Sequence, residues 1–237
     1  MSQKESEKDC LHFLDTIFDK GLYSYNKEYY DKDFFENFNL TIFACRDSFA
    51  DLEAIETLSF STKEKMEIFK IICFVNIINM HLEVVKKYLK MLIKNGDDGI
   101  DFDKNTTLGQ IIKRICNKMS YPQKLKDTTF DLFCVDFRNA IAHQHYLVSD
   151  KGITIYPKDE NKKKIYKIND LLGLGYGVAG LYDAITIFGD NKAQEKIVEL
   201  RKVRKRLVEL NEQAEVEKLD EDLAYFKKTY PHLDWES

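Results

Sequence analysis

Apolar residues recur at intervals of three and four along most of the chain, which is the spacing of amphipathic helices. In the first half of the chain we predict helices over residues 4–20, 34–55, 62–94 and 107–121. Ser61 or Thr62 is the expected N-cap of the third helix, and Asn95-Gly96 is its expected end. Tyr121-Pro122 should end the fourth, because a residue before proline avoids the helical conformation.

Residues 123–146 form the next predicted helix. One face is apolar and should point to the core, with Phe130, Phe133, Phe137 and Ile141 at helical spacing. A second face is polar and carries Asp136, Asn139, His143 and Tyr146. Burying that face without hydrogen-bond partners would be costly, so we expect it to border a cleft or to join a polar network.

The pattern changes after this helix. Residues 152–156 and 164–168 have β-branched and aromatic side chains at strand spacing, which predicts a β-hairpin. Asp170 is then the expected cap of a helix to Phe188, and Gly189-Asp190 should separate it from a last helix over residues 191–217, followed by a short polar tail. We therefore predict an all-α bundle with a small hairpin and a long C-terminal helix.

Composition narrows the class of protein. The chain has 237 residues, 44% of them hydrophobic and 32% charged, which suits one globular domain. We expect a core over about residues 60–190, N-terminal helices over 1–60 and a helical extension over 190–237. The formal net charge is -4, so any contact with RNA requires a local basic patch.

Cysteine usage and hydropathy bear on location. The five cysteines form no C-x-x-C pair, which favours reduced thiols in the cytoplasm. The N-terminal segment is polar and unlike a signal peptide. The apolar run Ile68–Met80 is interrupted by Asn76 and Asn79, and we expect a buried helix and no membrane association. His81 and Glu83 follow on the same helix, where these polar residues either support the 123–146 helix across the bundle or face solvent.

The hexapeptide Arg138-Asn139-Ala140-Ile141-Ala142-His143 resembles the HEPN superfamily. That signature is an arginine, usually followed by a polar residue, and a histidine after four to six intervening residues; His145 meets the longest spacing. The resemblance covers about residues 60–190. It implies a bundle of four or five helices, often dimeric, and cleavage of RNA without a metal or cofactor by attack of the 2′-hydroxyl on the neighbouring phosphate.

The resemblance also suggests roles for the motif residues. His143 suits proton transfer, because an ordinary histidine changes charge near neutral pH. Arg138 suits the phosphate, because a guanidinium presents a fixed fork of donors. Asn139 could orient His143, four residues away on one helix face. Asp136, His145 and Tyr146 are further candidates.

Helical geometry adds a constraint on this site. Five residues at about 100° each place Arg138 and His143 roughly 140° apart on a straight helix. Either the helix loosens near Ala142, or two protomers share one cleft. Dimeric HEPN sites favour the second arrangement, and we expect a symmetric homodimer with both motifs at its interface.

Each candidate residue also has a plainer interpretation. Arg138 and His143 could form a helix-end ion pair or cap, and His145 could be an exposed polar residue. The two histidines lack a third metal ligand of obvious spacing. In the toxin–antitoxin branch of HEPN proteins a modified tyrosine lies two residues after the histidine, whereas Tyr146 lies three residues after His143.

Three further patterns have competing interpretations. Gly175-Tyr-Gly177-Val-Ala-Gly180 spells a dinucleotide-binding fingerprint, but its helical surroundings favour close helix packing by Gly173, Gly177 and Gly180. Near the C-terminus, Arg201, Arg204 and Lys205 belong to a basic cluster that either binds RNA or forms a solvated helix face.

Leucines and valines over residues 200–214 form a short seam that suits pairing with another helix or packing within the monomer.

The combined expectation is a cytoplasmic endoribonuclease that acts as a toxin or as an antiviral abortive-infection effector. Such an activity would harm the host, so an antitoxin or a regulatory protein is implied as a partner. Two alternatives remain at this point: a non-catalytic HEPN module that binds RNA, nucleotide or protein, and a structural helical subunit.

Overall fold

A computed structural model of the chain describes residues 2–26, 61–157, 163–233 and 235. These ranges are mostly helical and contain one small antiparallel sheet. The helices are α1 (Gln3–Asp19), α2 (Lys63–Leu92), α3 (Leu108–Lys118), α4 (Gln123–Leu132), α5 (Val135–Ala142), α6 (Ile168–Glu209) and α7 (Gln213–Thr229). The strands are β1 (Tyr146–Ser149), β2 (Gly152–Ile155) and β3 (Lys164–Tyr166). The helix predicted over 34–55 and Cys45 lie outside the described residues.

Side-chain caps define the starts of three helices. The Ser2 hydroxyl and the Glu5 carboxylate satisfy each other's backbone N–H at the start of α1, and Thr107 and Gln110 do the same for α3. Thr62 accepts a hydrogen bond from the Lys65 N–H at the start of α2. The predicted bounds of these three helices are confirmed to within about three residues.

The single helix predicted over residues 123–146 is wrong. It divides into α4 and α5 at Cys134, whose φ of 48° is left-handed. This break buries the Phe133 ring completely, edge-on to Phe13 at a centroid distance of 5.2 Å. Burial of an aromatic ring outweighs the cost of one strained residue. The helix also ends early, at Ala142, and Tyr146 opens a strand.

The predicted hairpin is confirmed, and it gains a third strand. The strand order is β1-β2-β3, with both pairs antiparallel. Gly152 closes the tight β1–β2 connection with a φ of 139°, and a Cβ there would collide with the backbone oxygen of Tyr166. Only glycine fits this position.

The C-terminal region differs from the sequence expectation. Gly189 and Asp190 stay inside α6, which continues for 42 residues. One glycine in a helix costs about 1 kcal/mol, less than the burial of Phe188, Ala193 and Ile197 on either side of it contributes. The chain turns only at Asn211, whose φ is 59°, and α7 replaces the expected tail.

The chain divides into two compact units, Met1–Ile185 and Thr186–Ser237, and the division falls within α6. In the second unit the Arg204 guanidinium donates to both oxygens of Asp220 at 2.6 and 3.0 Å, which fastens α6 to α7. The C-terminal seam is mostly open to solvent in this unit. Leu200 is buried, whereas Leu210 is 68% exposed.

Two helices, α2 and α6, contain windows of 18 residues that are apolar enough to cross a membrane. In each window 50% of the residues are buried inside the fold. The apolar segment of α2 is thus longer than the run Ile68–Met80 on which the sequence expectation rested. Core helices of other proteins share this composition.

The glycine-rich segment 175–180 lies in the middle of α6, so it forms no phosphate-binding loop. A Cβ at Gly180 would collide with the backbone of Gln3, and one at Gly177 would lie 3.2 Å from the Ser6 hydroxyl. Close packing of α6 on α1 is therefore confirmed for these two glycines. Gly173 has no such neighbour within 4 Å.

This packing predicts opposite effects for two identical substitutions. Gly180→Ala should lower the free energy of unfolding by about 1–3 kcal/mol, because the methyl group forces two backbones apart. Gly173→Ala should raise it by about 0.5–1 kcal/mol, because alanine loses less conformational entropy in a helix. Urea denaturation of both variants measures the two changes. Equal effects would contradict the close approach of α1 and α6.

Candidate functional site

The motif helix α5 is held on several sides. It packs against α2, α3, α4 and β2, and Val135, Phe137 and Ala140 point into the core. The Phe137 ring meets the Tyr166 ring edge-on at a centroid distance of 5.5 Å, which joins α5 to β3. This apolar packing fixes the direction in which the remaining side chains of α5 point.

Arg138 forms an ion pair across the bundle. Its side chain is only 10% exposed, and Nε and Nη2 donate to Oε1 of Glu83 at 3.0 and 2.7 Å. Glu83 lies on α2, where Lys86 donates to its other carboxylate oxygen. The pair is therefore a contact between two helices and not a helix-end cap.

The charges of this cluster have a defined state. Burial by itself raises the pKa of Glu83, but hydrogen bonds from Lys86 and Arg138 lower it overall, so the carboxylate is ionised at neutral pH. Two cations then share one anion, which leaves the cluster with a net positive charge. The Nη1 amino group of Arg138 donates to none of the described residues.

Lys90 lies one turn beyond Lys86 on α2. Burial lowers the pKa of Lys90 to about 8. Its Nζ donates to the backbone oxygens of Asp103 and Lys104 at 2.8 and 3.1 Å, which anchors the loop before α3. Lys90 therefore joins α2, the helix that carries Glu83 and Lys86, to the loop before α3.

His143 and His145 lie at the solvent-exposed end of α5. His143 is the C-cap residue, and the chain then turns through Gln144, whose φ is 58°. The two imidazole rings are exposed, with centroids 6.0 Å apart at an angle of 37°. The His145 N–H donates to the Ala140 oxygen at 2.8 Å, and its carbonyl accepts from the Tyr156 N–H at 2.8 Å, so its backbone is fixed from both sides.

The structure ends the helix close to the position that the geometric argument singled out. Helix α5 ends at Ala142, and His143 is its C-cap residue, whose N–H still donates to the Asn139 oxygen at 3.1 Å. Convergence of Arg138 and His143 on one phosphate, within one protomer or across two, stays a prediction.

The remaining candidates do not form the single polar row that the sequence suggested. Asp136 accepts from Lys164 of β3 at 3.1 Å. The Asn139 amide lies against α3, where a Cβ at Gly109 would be 3.5 Å from Nδ2, and no hydrogen bond joins it to the His143 ring. Tyr146 lies half-buried in β1 opposite Ile155.

Glu83 is the residue whose role the sequence left open. The sequence allowed Glu83 either to support the motif helix across the bundle or to face solvent, and the packing of α2 on α5 brings it to Arg138. A second pattern was also ambiguous: His81, two residues earlier, is buried, and its Nδ1 lies 2.9 Å from the Ile77 oxygen. An arginine in an apolar helix that lacks a local acidic partner is the signal that could have pointed to Glu83.

The C-terminal basic cluster is partly occupied by contacts within its own unit. Arg204 is paired with Asp220, and the Arg201 guanidinium lies 5.9 Å from the centre of the Trp235 ring. Lys205 is exposed. A groove of about 560 Å³ is lined by Arg201, Arg204, Lys205, Val208, Glu209 and Leu223. RNA binding by this cluster stays a prediction.

Within the described residues, the structure favours neither a metal site nor a reactive Cys134 thiolate. No group of three or more His, Cys, Asp or Glu residues there is arranged to hold a metal ion. Burial raises the pKa of the Cys134 thiol to about 12, so this cysteine carries no thiolate at neutral pH.

Comparisons with known proteins leave the family open. The chain matches no protein-family model, no curated protein sequence and no solved structure.

The Glu83 carboxylate should contribute to stability. Glu83→Gln should lower the free energy of unfolding by about 2–3 kcal/mol at pH 7, because it leaves the Arg138 charge nearly buried without its counterion. The folded-state pKa of Glu83 lies below its unfolded value. The stabilisation is therefore complete above the unfolded pKa and disappears as the pH falls through the folded pKa.

Thermal denaturation of both proteins between pH 2 and pH 7, about the range in which carboxylates titrate, checks this effect. The difference in melting temperature between wild type and Glu83→Gln should narrow in acid. Glu64→Gln, an exposed carboxylate near the start of α2, is the matched control and should change stability by about 0.5 kcal/mol or less. The same difference in melting temperature at every pH would contradict the assigned charge of Glu83.

Proposed function

We propose that this protein is a metal-independent endoribonuclease of the HEPN type. The observation that carries the proposal is the exposed His143 imidazole at the end of the helix whose Arg138 guanidinium is fixed by Glu83. A proton-transferring group that meets water and a cation held at a defined position are the two components that cleavage of RNA by its own 2′-hydroxyl requires.

The proposed reaction is an internal transfer. The 2′-oxygen attacks the adjacent phosphorus, and His143 accepts the proton of that hydroxyl. The bond from phosphorus to the 5′-oxygen breaks, and this oxygen takes a proton from the His145 imidazole or from water. The products are a 2′,3′-cyclic phosphate and a 5′-hydroxyl, and no metal or cofactor takes part.

Arg138 suits the stabilisation of phosphate charge in this reaction. Glu83 occupies Nε and Nη2 and so fixes the plane of the guanidinium. Nη1 has no acceptor among the described residues and could donate to a phosphate oxygen. The net positive charge of the cluster favours an anion at this point.

RNA is the proposed substrate, and the proposed role is that of a cytoplasmic toxin or antiviral abortive-infection effector restrained by an antitoxin or a regulatory protein. We further propose a symmetric homodimer with both motifs at its interface. One observation favours a second candidate function: Arg138 is only 10% exposed, which also suits a purely structural ion pair. In that case the chain is a non-catalytic HEPN module that binds RNA, nucleotide or a partner protein.

Incubation of the purified protein with RNA in the presence of EDTA separates these functions. Wild type should leave cyclic phosphate ends, and His143→Ala should lower the rate by roughly 10²–10⁴-fold, the usual contribution of proton transfer by a side chain. Arg138→Lys should lower it at least about tenfold, because a lysine keeps the charge but lacks the fork. His12→Ala, an exposed histidine on α1, should leave the rate unchanged.

Circular dichroism must show the same helical signal for all four proteins. Binding of RNA without cleavage by the wild type, or equal cleavage by the His143→Ala variant, would favour the non-catalytic module.

A mixing experiment tests the shared cleft. Arg138→Lys and His143→Ala proteins are mixed in equal amounts and allowed to exchange protomers through brief dissociation. If Arg138 of one protomer works with His143 of the other, each mixed dimer then contains one intact site. The mixture should then cleave RNA faster than either variant alone. A rate equal to the mean of the two variants would show that each protomer builds its own site.

A further inference from the structure

The outer face of the small sheet has an unusual composition. Leu147 is 64% exposed and Ile165 is 60% exposed, although both are large aliphatic residues in regular strands. The strand register aligns them through Thr154, so that Leu147, Thr154 and Ile165 form one row across the three strands. Large exposed aliphatic side chains grouped on one face, here on either side of Thr154, are typical of a binding surface.

A second row lies beside the first. The Tyr156 N–H donates to the His145 oxygen at 2.8 Å, which carries the β1–β2 register one residue further. Tyr156 and Lys163 each lie one residue beyond the last β2–β3 pair, Ile155 and Lys164, so the register predicts that they are neighbours. Because side chains alternate between the two faces of a strand, His145, Tyr156 and Lys163 belong to the face that carries Leu147 and Ile165.

The inner face of the sheet confirms this alternation. Ile153 and Ile155 are fully buried, Tyr166 packs on Phe137, and Lys164 pairs with Asp136 of α5. The sheet is therefore fixed to the motif helix by its inner face. Its outer face is left to solvent and continues directly into the His143–His145 pair.

The local charge of this region is opposite to that of the whole chain. Residues 146–157 and 163–167 contain four Lys and one Asp, in a chain whose formal net charge is -4. Lys164 belongs to the inner face, where it pairs with Asp136, so the exposed lysines of this region are Lys151, Lys163 and Lys167. Only a local basic patch can hold a polyanion on such a protein. An aromatic ring, aliphatic side chains and lysines on one face are what stacked bases and their phosphates require.

From these rows we infer that the outer face of the β1–β3 sheet is a binding surface for single-stranded RNA. It holds bases on Tyr156, Leu147 and Ile165, and its lysines contact the phosphates. The inference rests on the proposed function and adds a substrate class to it. Paired bases cannot stack on protein side chains, so double-stranded RNA is a poor ligand for this face. The occupant is RNA and not a second copy of the chain, because a symmetric contact through this face would bring the exposed lysines of two copies together.

Binding is measured by fluorescence anisotropy with a labelled 12-nucleotide single-stranded RNA of mixed sequence, on full-length protein carrying His143→Ala to prevent cleavage. Added to that protein, Tyr156→Ala should raise the Kd roughly tenfold, and the double variant Leu147→Ser/Ile165→Thr should raise it by a similar factor. Lys163→Ala should reduce the slope of log Kd against log salt by about one.

Two controls lie in the C-terminal unit. Leu210→Ser removes an aliphatic side chain of similar exposure, and Lys218→Ala removes an exposed lysine of α7 that lies outside the C-terminal basic cluster. Both should bind within twofold of the parent. All substituted side chains are at least partly exposed, and melting temperatures close to that of the parent would show that the fold is retained.

Four outcomes would overturn the inference: unchanged Kd in the sheet-face variants, loss of binding in Lys218→Ala, equal affinity for double-stranded RNA, or conversion of a dimer to a monomer by the Leu147/Ile165 substitutions. The proposed function fails separately. If sheet-face variants in the otherwise wild-type chain cleave RNA as fast as wild type, only the binding surface is wrong. If wild type binds single-stranded RNA through this face without cleaving it, the nuclease is wrong and the binding surface stands.

Discussion

The ion pair between Arg138 and Glu83 is the contact on which the candidate site depends. A nearly buried guanidinium is costly to take out of water unless a counterion meets it in good geometry. Here the half-buried Glu83 carboxylate accepts two hydrogen bonds from Arg138, at 3.0 and 2.7 Å, while Lys86 satisfies its second oxygen. The pair forms only when α2 and α5 are packed in this one arrangement. It thereby fixes the helix that ends at the two exposed histidines.

The sheet fixes the other side of the same helix. Phe137 on Tyr166 and Asp136 on Lys164 hold the inner face of the strands against α5. Backbone hydrogen bonds then fix His145 between the end of α5 and the end of β2. The imidazole pair is therefore exposed in its side chains but rigid in its backbone, a combination that suits groups that must meet a substrate in a fixed geometry.

Charge is distributed unevenly over this scaffold. The chain as a whole is acidic, but Lys86 and Arg138 share the single anion Glu83, and the sheet region carries the exposed lysines Lys151, Lys163 and Lys167. Such a distribution avoids general attraction to nucleic acid and leaves a local region where a phosphate is favoured. The C-terminal basic cluster differs, because Arg204 and Arg201 contact Asp220 and Trp235 of their own unit.

The sequence by itself determined the helical class, the starts of α2 and α3 to within about a residue, the hairpin and the segment that contains the motif, because these depend on residues close together in the chain. Only the tertiary structure decided the break at Cys134, the early end of α5, the uninterrupted α6 and the pairing of Arg138 with Glu83. Each of these is set by burial or by charge between residues far apart in sequence, whose free energies exceed the local preferences that a sequence pattern reports.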